Sequence, residues 1–420
     1  MTIINILGDL FSQTWAVFTS PLFLTIFHYF FITAPVWLPI VLAIIFWFSW
    51  INYIRSKFLA SQKYVLLEIK LPPEVFKSPL AMETVLANLH ITGGESTWYD
   101  KYIKGAMRPW YSLEIVSIEG NVHFFVWTRM GFKNLVESQF YGQYPNVELF
   151  EVSDYTDYAP YFDKKKISAW ATHYKLTKPD PYPIKTYIDY GLDRDPKEEF
   201  KIDPLTTLIE YFSTLGKGEQ VWMQVLFQSH KKKRTAGTFK STDWQEEGAD
   251  LIKKLQKEFR KSDEEDEDGK PQFRFPTKGE TDILAALDRS ISKLGFDVGI
   301  RLVYLAEKDK YIGARVPGFV TILKGFNSNI LNGFAPTNNT AFDYPWQDFF
   351  DIRGDHLKTK YMRLYHKRAY FYPPDKIMEP FVLNTEELAT IFHFPGSVLQ
   401  TPSVNRVSSR KAEAPVNLPH

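Results

Sequence analysis

The chain has 420 residues, a length typical of two or three domains of about 150 residues each. Fifty Lys and Arg residues against 49 Asp and Glu give a net charge of +1, which excludes a general nucleic-acid-coating surface but not a local basic patch. The absence of Cys excludes disulfides, Cys-ligated zinc, iron–sulfur clusters and cysteine nucleophiles, and it fits a reducing compartment.

An apolar stretch near the N-terminus predicts a transmembrane helix. Between Leu10 and Ile54, His28 is the only side chain that can carry a charge near neutral pH. Residues 34–54 form a helix of about 30 Å, which is enough to cross the hydrocarbon layer, with Pro35 and Pro39 in its first turns. Aromatic residues typical of the membrane interface stand near both ends: Trp37, Trp50 and Tyr53. A buried core helix is the alternative interpretation.

The flanks of this stretch bear on topology. Residues 3–18 place apolar side chains on one helical face and predict an amphipathic helix in the interface, and a second span through Leu22–Phe31 remains open. Residues 1–54 contain no Lys or Arg, which disfavours a signal peptide. Arg55, Lys57 and Lys63 follow the stretch, so the positive-inside rule predicts that the bulk of the chain is cytoplasmic.

We divide the chain into a membrane anchor (1–60), two folded units (61–160 and 161–380) and a C-terminal segment (381–420). The first unit has the element order β-α-β-β-α-β, which is typical of a ferredoxin-like domain. Its predicted elements are strand Tyr64–Leu71, a helix capped by Ser78 and opened by Pro79, strands Tyr111–Glu119 and Asn121–Arg129, a helix over Phe132–Phe140, and strand Val147–Val152.

The second unit repeats this pattern with an insertion at residues 230–295. The predicted elements are strands Ile167–Leu176, Glu219–Gln228, Phe296–Ala306 and Lys360–Tyr370, a helix capped by Asp203, insertion helices Thr242–Arg260 and Asp282–Leu294, and a return helix Tyr311–Gly325. A short helix over Asn384–Phe392 with a capping pair precedes a Pro-containing tail. The predicted fold class is therefore α+β: a transmembrane helix followed by two ferredoxin-like units, the second with a helical insertion.

Motifs that carry chemistry are missing from the sequence. GxxxxGK[ST], GxGxxG, GxSxG and HExxH do not occur, so we predict no catalytic residue, no cofactor and no metal, and we interpret the chain as a non-enzyme. The acidic run Asp263–Asp268 could suggest a calcium loop. An EF-hand loop read from Glu264 has Gly269 in the correct place, but its position twelve is Phe275 rather than Glu, and we interpret the run as a solvated loop. His123 alternates within a strand, as a packed or edge residue does.

Two basic runs are candidates for contacting phosphate. Lys231, Lys232, Lys233 and Arg234 follow a predicted strand, and the second run is Lys164–Lys166. Either run suits the phosphates of nucleic acid or of lipid headgroups, whereas an ordinary charged turn is the alternative. Four Trp residues invite base stacking, but core packing is the better interpretation for most of them: Trp98, Trp110, Trp127 and Trp170.

Five stretches together indicate a family. They are KYVLLEIKLPPEVFKSPLAMETVLANLH (63–90), GESTW (94–98), WYSLEIVSIEGNVHFFVWT (110–128), ESQFYGQYPNVELFEVSDYT (137–156) and NTEELATIFHFPG (384–396). The first four resemble the membrane-anchored N-terminal part of type IV secretion-like, conjugative-transfer ATPases of candidate-phylum bacteria, a domain of unknown function. The fifth, followed by TPSVNRVSSRKAEAPVNLP (401–419), is similar to the stretch that leads into the ATPase domain in longer members.

The resemblance implies a location and partners. It implies a cell inner-membrane protein whose relatives carry a P-loop ATPase after the point where this sequence ends, so we expect that ATPase as a separate polypeptide or as the missing part of a split or truncated product. The leading hypothesis is a non-enzymatic assembly or adaptor subunit that tethers a DNA- or protein-translocating ATPase to the membrane; DNA and further copies of the chain are additional expected partners. The alternative is nucleic-acid or anionic-lipid binding through Lys231–Arg234.

Overall fold

The computed structural model describes residues 21–72, 77–194, 202–234, 241–265, 271–342, 344–376 and 378–395. These residues divide into two compact units, which we call the anchor unit and the body. The anchor unit comprises residues up to Ser61 together with Thr97–Ala106, and the body comprises Gln62–Ser96 and the chain from Met107 onward. The predicted interfacial helix over residues 3–18 and the tail after Thr401 lie outside the described residues.

The anchor unit contains one long helix, α1, which runs from Pro21 to Ser61. Of the described residues, it is the one helix long and apolar enough to cross a membrane, over His28–Ser61. The prediction that Pro35 and Pro39 begin the helix is wrong, because both lie inside it and residues 22–31 belong to the same helix. The apolar sequence upstream of the prolines continues the helix, and prolines are tolerated within helices of this apolar kind.

The body follows the predicted order of helices and strands closely. Its first half contains β1 (Tyr64–Lys70), α2 (Pro79–Asn88), β2 (Trp110–Ile118), β3 (Asn121–Arg129), α3 (Lys133–Gln143) and β4 (Glu148–Val152). The second half contains β5 (Ile167–Leu176), α4 (Pro204–Ser213), β6 (Glu219–Ser229), β7 (Lys233–Arg234), β8 (Ser241–Thr242), α5 (Trp244–Phe259), β9 (Lys261–Glu265), β10 (Pro271–Phe273), α6 (Lys278–Ile291), β11 (Gly295–Glu307), α7 (Val316–Thr321) and β12 (Phe334–Thr337). The chain continues through α8 (Ile352–His366), β13 (Phe381–Asn384) and α9 (Thr385–Ile391).

Helix starts in the body obey local capping chemistry. The side chains of Ser78 and Asp203 accept hydrogen bonds from the first turns of α2 and α4, and a proline occupies the first position of each helix. Asn384 and Glu387 form a reciprocal capping box at the start of α9. All three caps were readable from the sequence, because a cap depends on residues within one turn.

Nine strands join in one antiparallel sheet. The order is β12-β5-β11-β6-β2-β3-β1-β4, and β13 pairs with the start of β11. β2 and β6 pair along their length, with Leu113 opposite Val225. The two halves of the body therefore share one continuous sheet and one core.

The two faces of the sheet differ in chemistry. Alternate residues of β6 point into an apolar core beneath α2, α3, α4 and α9: Val221, Met223, Val225 and Phe227. The other face is covered by α8. Its C-terminal part lies in the segment Lys360–Tyr370, which was predicted as a strand. That prediction is wrong because Tyr361, Leu364 and Tyr365, at helical spacing, are among the residues that α8 buries.

Candidate functional site

The predicted basic run lies in the turn that follows β6. Lys231 donates a hydrogen bond to the backbone carbonyl of Glu95 over 3.1 Å. Lys232 forms a 2.7 Å ion pair with Glu246 and lies 3.6 Å from Asp243. Lys233 and Arg234 form β7, which pairs with β8. Two of the four cations thus have acceptors within the protein, and phosphate binding by this run stays a prediction.

The second basic run is also engaged locally. Lys164 lies 2.9 Å from a carboxylate oxygen of Asp355 and 3.7 Å from one of Asp351. The backbone N–H of Lys165 donates to the Asp163 carboxylate over 3.0 Å. These contacts tie the run to the start of α8, as in an ordinary charged turn.

A cluster of one histidine, two aspartates and one arginine lies beside the first basic run. His230 Nδ1 is 2.6 Å from Asp297 Oδ1, and its Nε2 is 3.6 Å from Asp243 Oδ1. Arg108 Nη1 contacts the same Asp297 carboxylate over 3.4 Å. The three acidic and imidazole side chains are almost fully buried. Within the described ranges, no group of three or more His, Asp or Glu has the arrangement of a metal site. The cluster joins the C-terminal end of β6 and the start of β11 to the insertion.

A row of polar side chains crosses the face of the sheet beneath α8. Glu114 is opposite Gln224, Gln224 opposite Arg301, and Arg301 opposite His173 on four neighbouring strands. All four side chains are fully buried. We call Glu114, Gln224, Arg301 and His173 the polar row. A buried row of this kind must satisfy its hydrogen bonds internally, since each unpaired group costs free energy.

The polar row is bonded to α8 and to the residues that follow it. Arg301 donates to Gln224 over 2.7 Å and to the carbonyl of Leu364 over 2.8 Å. Arg368 donates to both oxygens of Glu114 over 3.0 and 3.2 Å, and it also binds Asp154. Both guanidinium groups thus hold the C-terminal end of α8 on the sheet.

Burial and charge set the protonation states around this row. Burial lowers the pKa of Arg301 to about 10 and, together with the positive charge of Arg301, lowers that of His173 to about 3. Burial alone would lower the pKa of Arg368, but the Glu114 and Asp154 carboxylates raise it well above its ordinary value. At neutral pH His173 is therefore uncharged while both arginines carry their charge. These charges suit a structural role for the polar row, which clamps α8 onto the sheet.

An exposed aromatic loop precedes α8. We call residues 344–352 the aromatic loop, and five of its apolar side chains are exposed: Tyr344, Trp346, Phe349, Phe350 and Ile352. Phe350 is 88% exposed and, like Asp351, has a left-handed backbone with φ of 64° and 58°. A phenylalanine in this region is strained, and such strain concentrates at functional sites.

The aromatic loop has a defined shape. The rings of Tyr344 and Trp346 stack with their centroids 4.5 Å apart. The Asp348 carboxylate accepts the backbone N–H groups of Arg353 and Gly354 over 2.8 and 2.6 Å, which fixes the loop to the first turn of α8. The loop and the preceding residues 340–342 line a cavity of about 650 Å³. Exposed apolar patches of this kind mark contact surfaces for other molecules.

This surface was not predicted from the sequence, whereas the burial of most of the four tryptophans was. Trp110, Trp127 and Trp170 are buried, which confirms core packing for most of the four, whereas Trp98 is 64% exposed. One feature of the sequence could have indicated this exposed loop. Its Tyr, Trp and Phe residues are interspersed with Pro and Asp and follow neither the strand period nor the helix period. His123 packs beside Glu68 at 2.8 Å, as its place in a strand predicted.

Comparison with known proteins gives a family without a function. The family model that matches the chain is a domain of unknown function, DUF8128, over residues 65–407. No curated protein matches the chain.

Proposed function

We propose that this chain, which belongs to the DUF8128 family, is a membrane-anchored, non-enzymatic assembly or adaptor subunit. It tethers a type IV secretion-like or conjugative DNA-translocating ATPase to the inner membrane. The observation that carries the membrane anchoring in this proposal is the exposure of α1. Every residue from Leu38 to Ser49 is exposed, and Phe46 and Phe48 are each 65% exposed.

The anchor follows from the cost of that exposure in water. Apolar surface gains about 25 cal/mol for each Å² removed from water, so a helix with large apolar side chains on all sides needs an apolar surrounding. The lipid bilayer supplies it, and 22 residues from His28 to Ser49 span about 33 Å. Arg55, Lys57 and Lys63 follow this segment. The proposal puts the body in the cytoplasm, which is the side that the positive-inside rule favours.

In this proposal the body is two ferredoxin-like units side by side. The first half has the sheet order β4-β1-β3-β2 and the second half has β12-β5-β11-β6, so both halves place their four strands in the same relative order. The units meet at the β2–β6 pair, which makes the sheet continuous. A continuous sheet with α8 clamped on it gives the aromatic loop a rigid frame, and an adaptor requires such a frame.

The aromatic loop is the surface that the proposal assigns to the ATPase. Its apolar side chains are exposed, and the Asp348 carboxylate bonds it to the first turn of α8. Aromatic residues in a fixed geometry lose little conformational entropy on binding, and they are enriched at the centres of protein interfaces. The partner itself comes from the family resemblance of the sequence.

Membrane anchoring is tested first. Full-length protein with an N-terminal epitope should stay in the membrane pellet after carbonate washing and keep the epitope. Release into the supernatant would remove the anchor, and loss of the epitope from the mature protein would identify α1 as a cleaved signal sequence. Because the chain has no Cys, single cysteines in the body report sidedness through impermeant thiol reagents.

Partner binding is tested by affinity purification from solubilised membranes. We expect a P-loop ATPase to copurify with the wild-type protein and to be lost with Phe350→Ser or Trp346→Ser. Phe275→Ser is the matched control, because Phe275 is 84% exposed but lies outside the aromatic loop. Recovery of no P-loop ATPase after crosslinking would refute the tethering function, and equal recovery with Phe350→Ser and Phe275→Ser would refute the role of the loop.

A further inference from the structure

A ten-residue segment, distant in sequence, packs onto the anchor helix. Residues Thr97–Ala106, which we call the collar, belong to the same compact unit as α1. Trp50 Nε1 donates to the Tyr102 carbonyl over 2.9 Å, and the Trp47 and Tyr102 rings lie 5.4 Å apart. Trp47, Trp50 and Ile54 are spaced three and four residues apart and so share the helix face that meets the collar.

The collar is built to fit this face closely. It contains a π-helical turn, Asp100–Lys104, which ends at Gly105 with φ +66°. A Cβ on Gly105 would lie 2.6 Å from the backbone carbonyl of Ile54, so only glycine permits this approach. At its start, Thr97 and Asp100 exchange hydrogen bonds of 2.6 and 3.1 Å. The end of the turn therefore packs directly against the helix at Gly105, and its start is held by hydrogen bonds within the collar.

The position of the collar along α1 is informative. From Leu38 to Ser49 all helix residues are exposed, and burial begins at Trp50 and is complete at Ile54. Trp50 stands five residues before Arg55, the first basic residue after the uncharged stretch, and so lies near one end of the segment that crosses the membrane in the proposed function. The collar thus lies against one side of the helix. In a bilayer this is the level where the acyl chains give way to the headgroups.

The outward side of the collar has the chemistry of that level. Trp98, Tyr99 and Ile103 are 64%, 54% and 40% exposed. The ammonium groups of Lys101 and Lys104 lie 5.3 and 5.4 Å from the centres of the Tyr102 and Tyr99 rings. Lys104 also forms a 3.0 Å ion pair with Asp100, and its side chain remains 58% exposed. Trp and Tyr prefer the membrane interface, and Lys side chains are attracted to an anionic membrane surface.

We propose that the collar is a lipid-contact site: Trp98, Tyr99 and Ile103 enter the boundary between headgroups and acyl chains, and Lys101 and Lys104 face the phosphates of anionic lipids. The site rests on the proposed membrane anchoring by α1, and it fixes the depth at which α1 sits. It also gives Trp98, which does not pack in the core, a function as an interfacial anchor.

The test measures contact with lipid directly. Full-length single-cysteine variants Trp98→Cys and Ile103→Cys, made in the naturally Cys-free chain, are labelled with bimane and reconstituted in vesicles of phosphatidylcholine and phosphatidylglycerol. Ile45→Cys is the reference inside the membrane, and Trp346→Cys is a reference outside the collar, since Trp346 and Trp98 are both 64% exposed. Lipids with bromine near the headgroup or near the chain end serve as quenchers.

We expect bromine near the headgroup to quench positions 98 and 103 several-fold more strongly than bromine near the chain end, with the opposite order at position 45. Absence of quenching at positions 98 and 103 while position 45 is quenched overturns the collar and leaves the anchor intact. Absence of quenching at position 45 overturns the anchor itself. Hydroxyl-radical footprinting of the unmodified chain is the second readout, and equal oxidation of Trp98 and Trp346 in vesicles contradicts the proposal even if a variant fails to fold.

Discussion

Replacement of Arg368 by Met removes the cation that neutralises a fully buried carboxylate. Arg368 donates two hydrogen bonds to Glu114, and both side chains are at most 1% exposed. Removing one partner of a buried pair costs about 3–5 kcal/mol, because the remaining charge stays buried without compensation. Asp154 is 26% exposed and regains water, so the cost falls mainly on Glu114.

The neighbours of Glu114 set the expected size of the loss. Ser112 and Tyr155 each donate to Glu114 over 2.7 Å, and Gln224 donates over 2.9 Å. These neutral donors remain in the variant, so we expect the lower end of the range, about 3 kcal/mol. With about 2 °C for each kcal/mol in a large domain, Tm falls by about 6 °C. Thermal unfolding of the full chain in detergent, followed by tryptophan fluorescence, measures the change.

Two variants separate this mechanism from a general loss of charge. Arg363→Met removes an arginine from the same helix, but Arg363 is 57% exposed and 3.6 Å from Asp375, so we expect a loss of about 0–1 kcal/mol. Adding Glu114→Gln to Arg368→Met removes the uncompensated charge, and most of the lost stability should return. If Arg368→Met unfolds no earlier than Arg363→Met, or if the double variant recovers nothing, the buried pair does not hold α8 as described.

Three further substitutions test other contacts. Burial lowers the pKa of His393, but Asp203, 3.0 Å away, outweighs burial and raises it. The stabilisation from this pair is therefore complete below the unfolded pKa of about 6.5 and is lost as pH rises through the folded pKa. Denaturant unfolding should show that His393→Gln destabilises the protein more at about pH 5.5 than at about pH 9. Gly299→Ala places a Cβ 2.3 Å from the buried Tyr370 ring, and calorimetry should show a loss of about 1–3 kcal/mol. Gly105→Ala should detach the collar from α1 and speed proteolysis within it, since the left-handed conformation alone costs about 1–2 kcal/mol.

Each of these expectations has a contradicting result. The same loss for His393→Gln at both pH values would show that the ion pair does not stabilise the fold. Gly279→Ala is the control for both glycine variants, because its Cβ would meet nothing within 4 Å. A Gly299→Ala or Gly105→Ala protein that behaves like Gly279→Ala would show that the close approach at that glycine is absent.

Local chemistry in the sequence determined most of the elements of this protein. Ser78, Asp203 and Asn384 each cap a helix because a cap needs only its own first turn, and the alternation in β6 follows from the two faces of a strand. The uncharged stretch before Arg55 predicted a helix over residues 34–54, and α1 contains it but begins earlier, at Pro21.

Only the tertiary structure decided the surfaces and the buried charges. The segment after Lys360 was predicted as a strand because its bulky residues fit either period, and its helical state is favoured by the polar row that it covers, which includes Glu114 and Arg301 from strands far away in sequence. The contact of Trp50 with Tyr102 spans 52 residues, and no local pattern encodes it. Contacts between residues distant in sequence depend on the packing of the whole chain, so the collar, the clamp on α8 and the exposed aromatic loop became visible only in three dimensions.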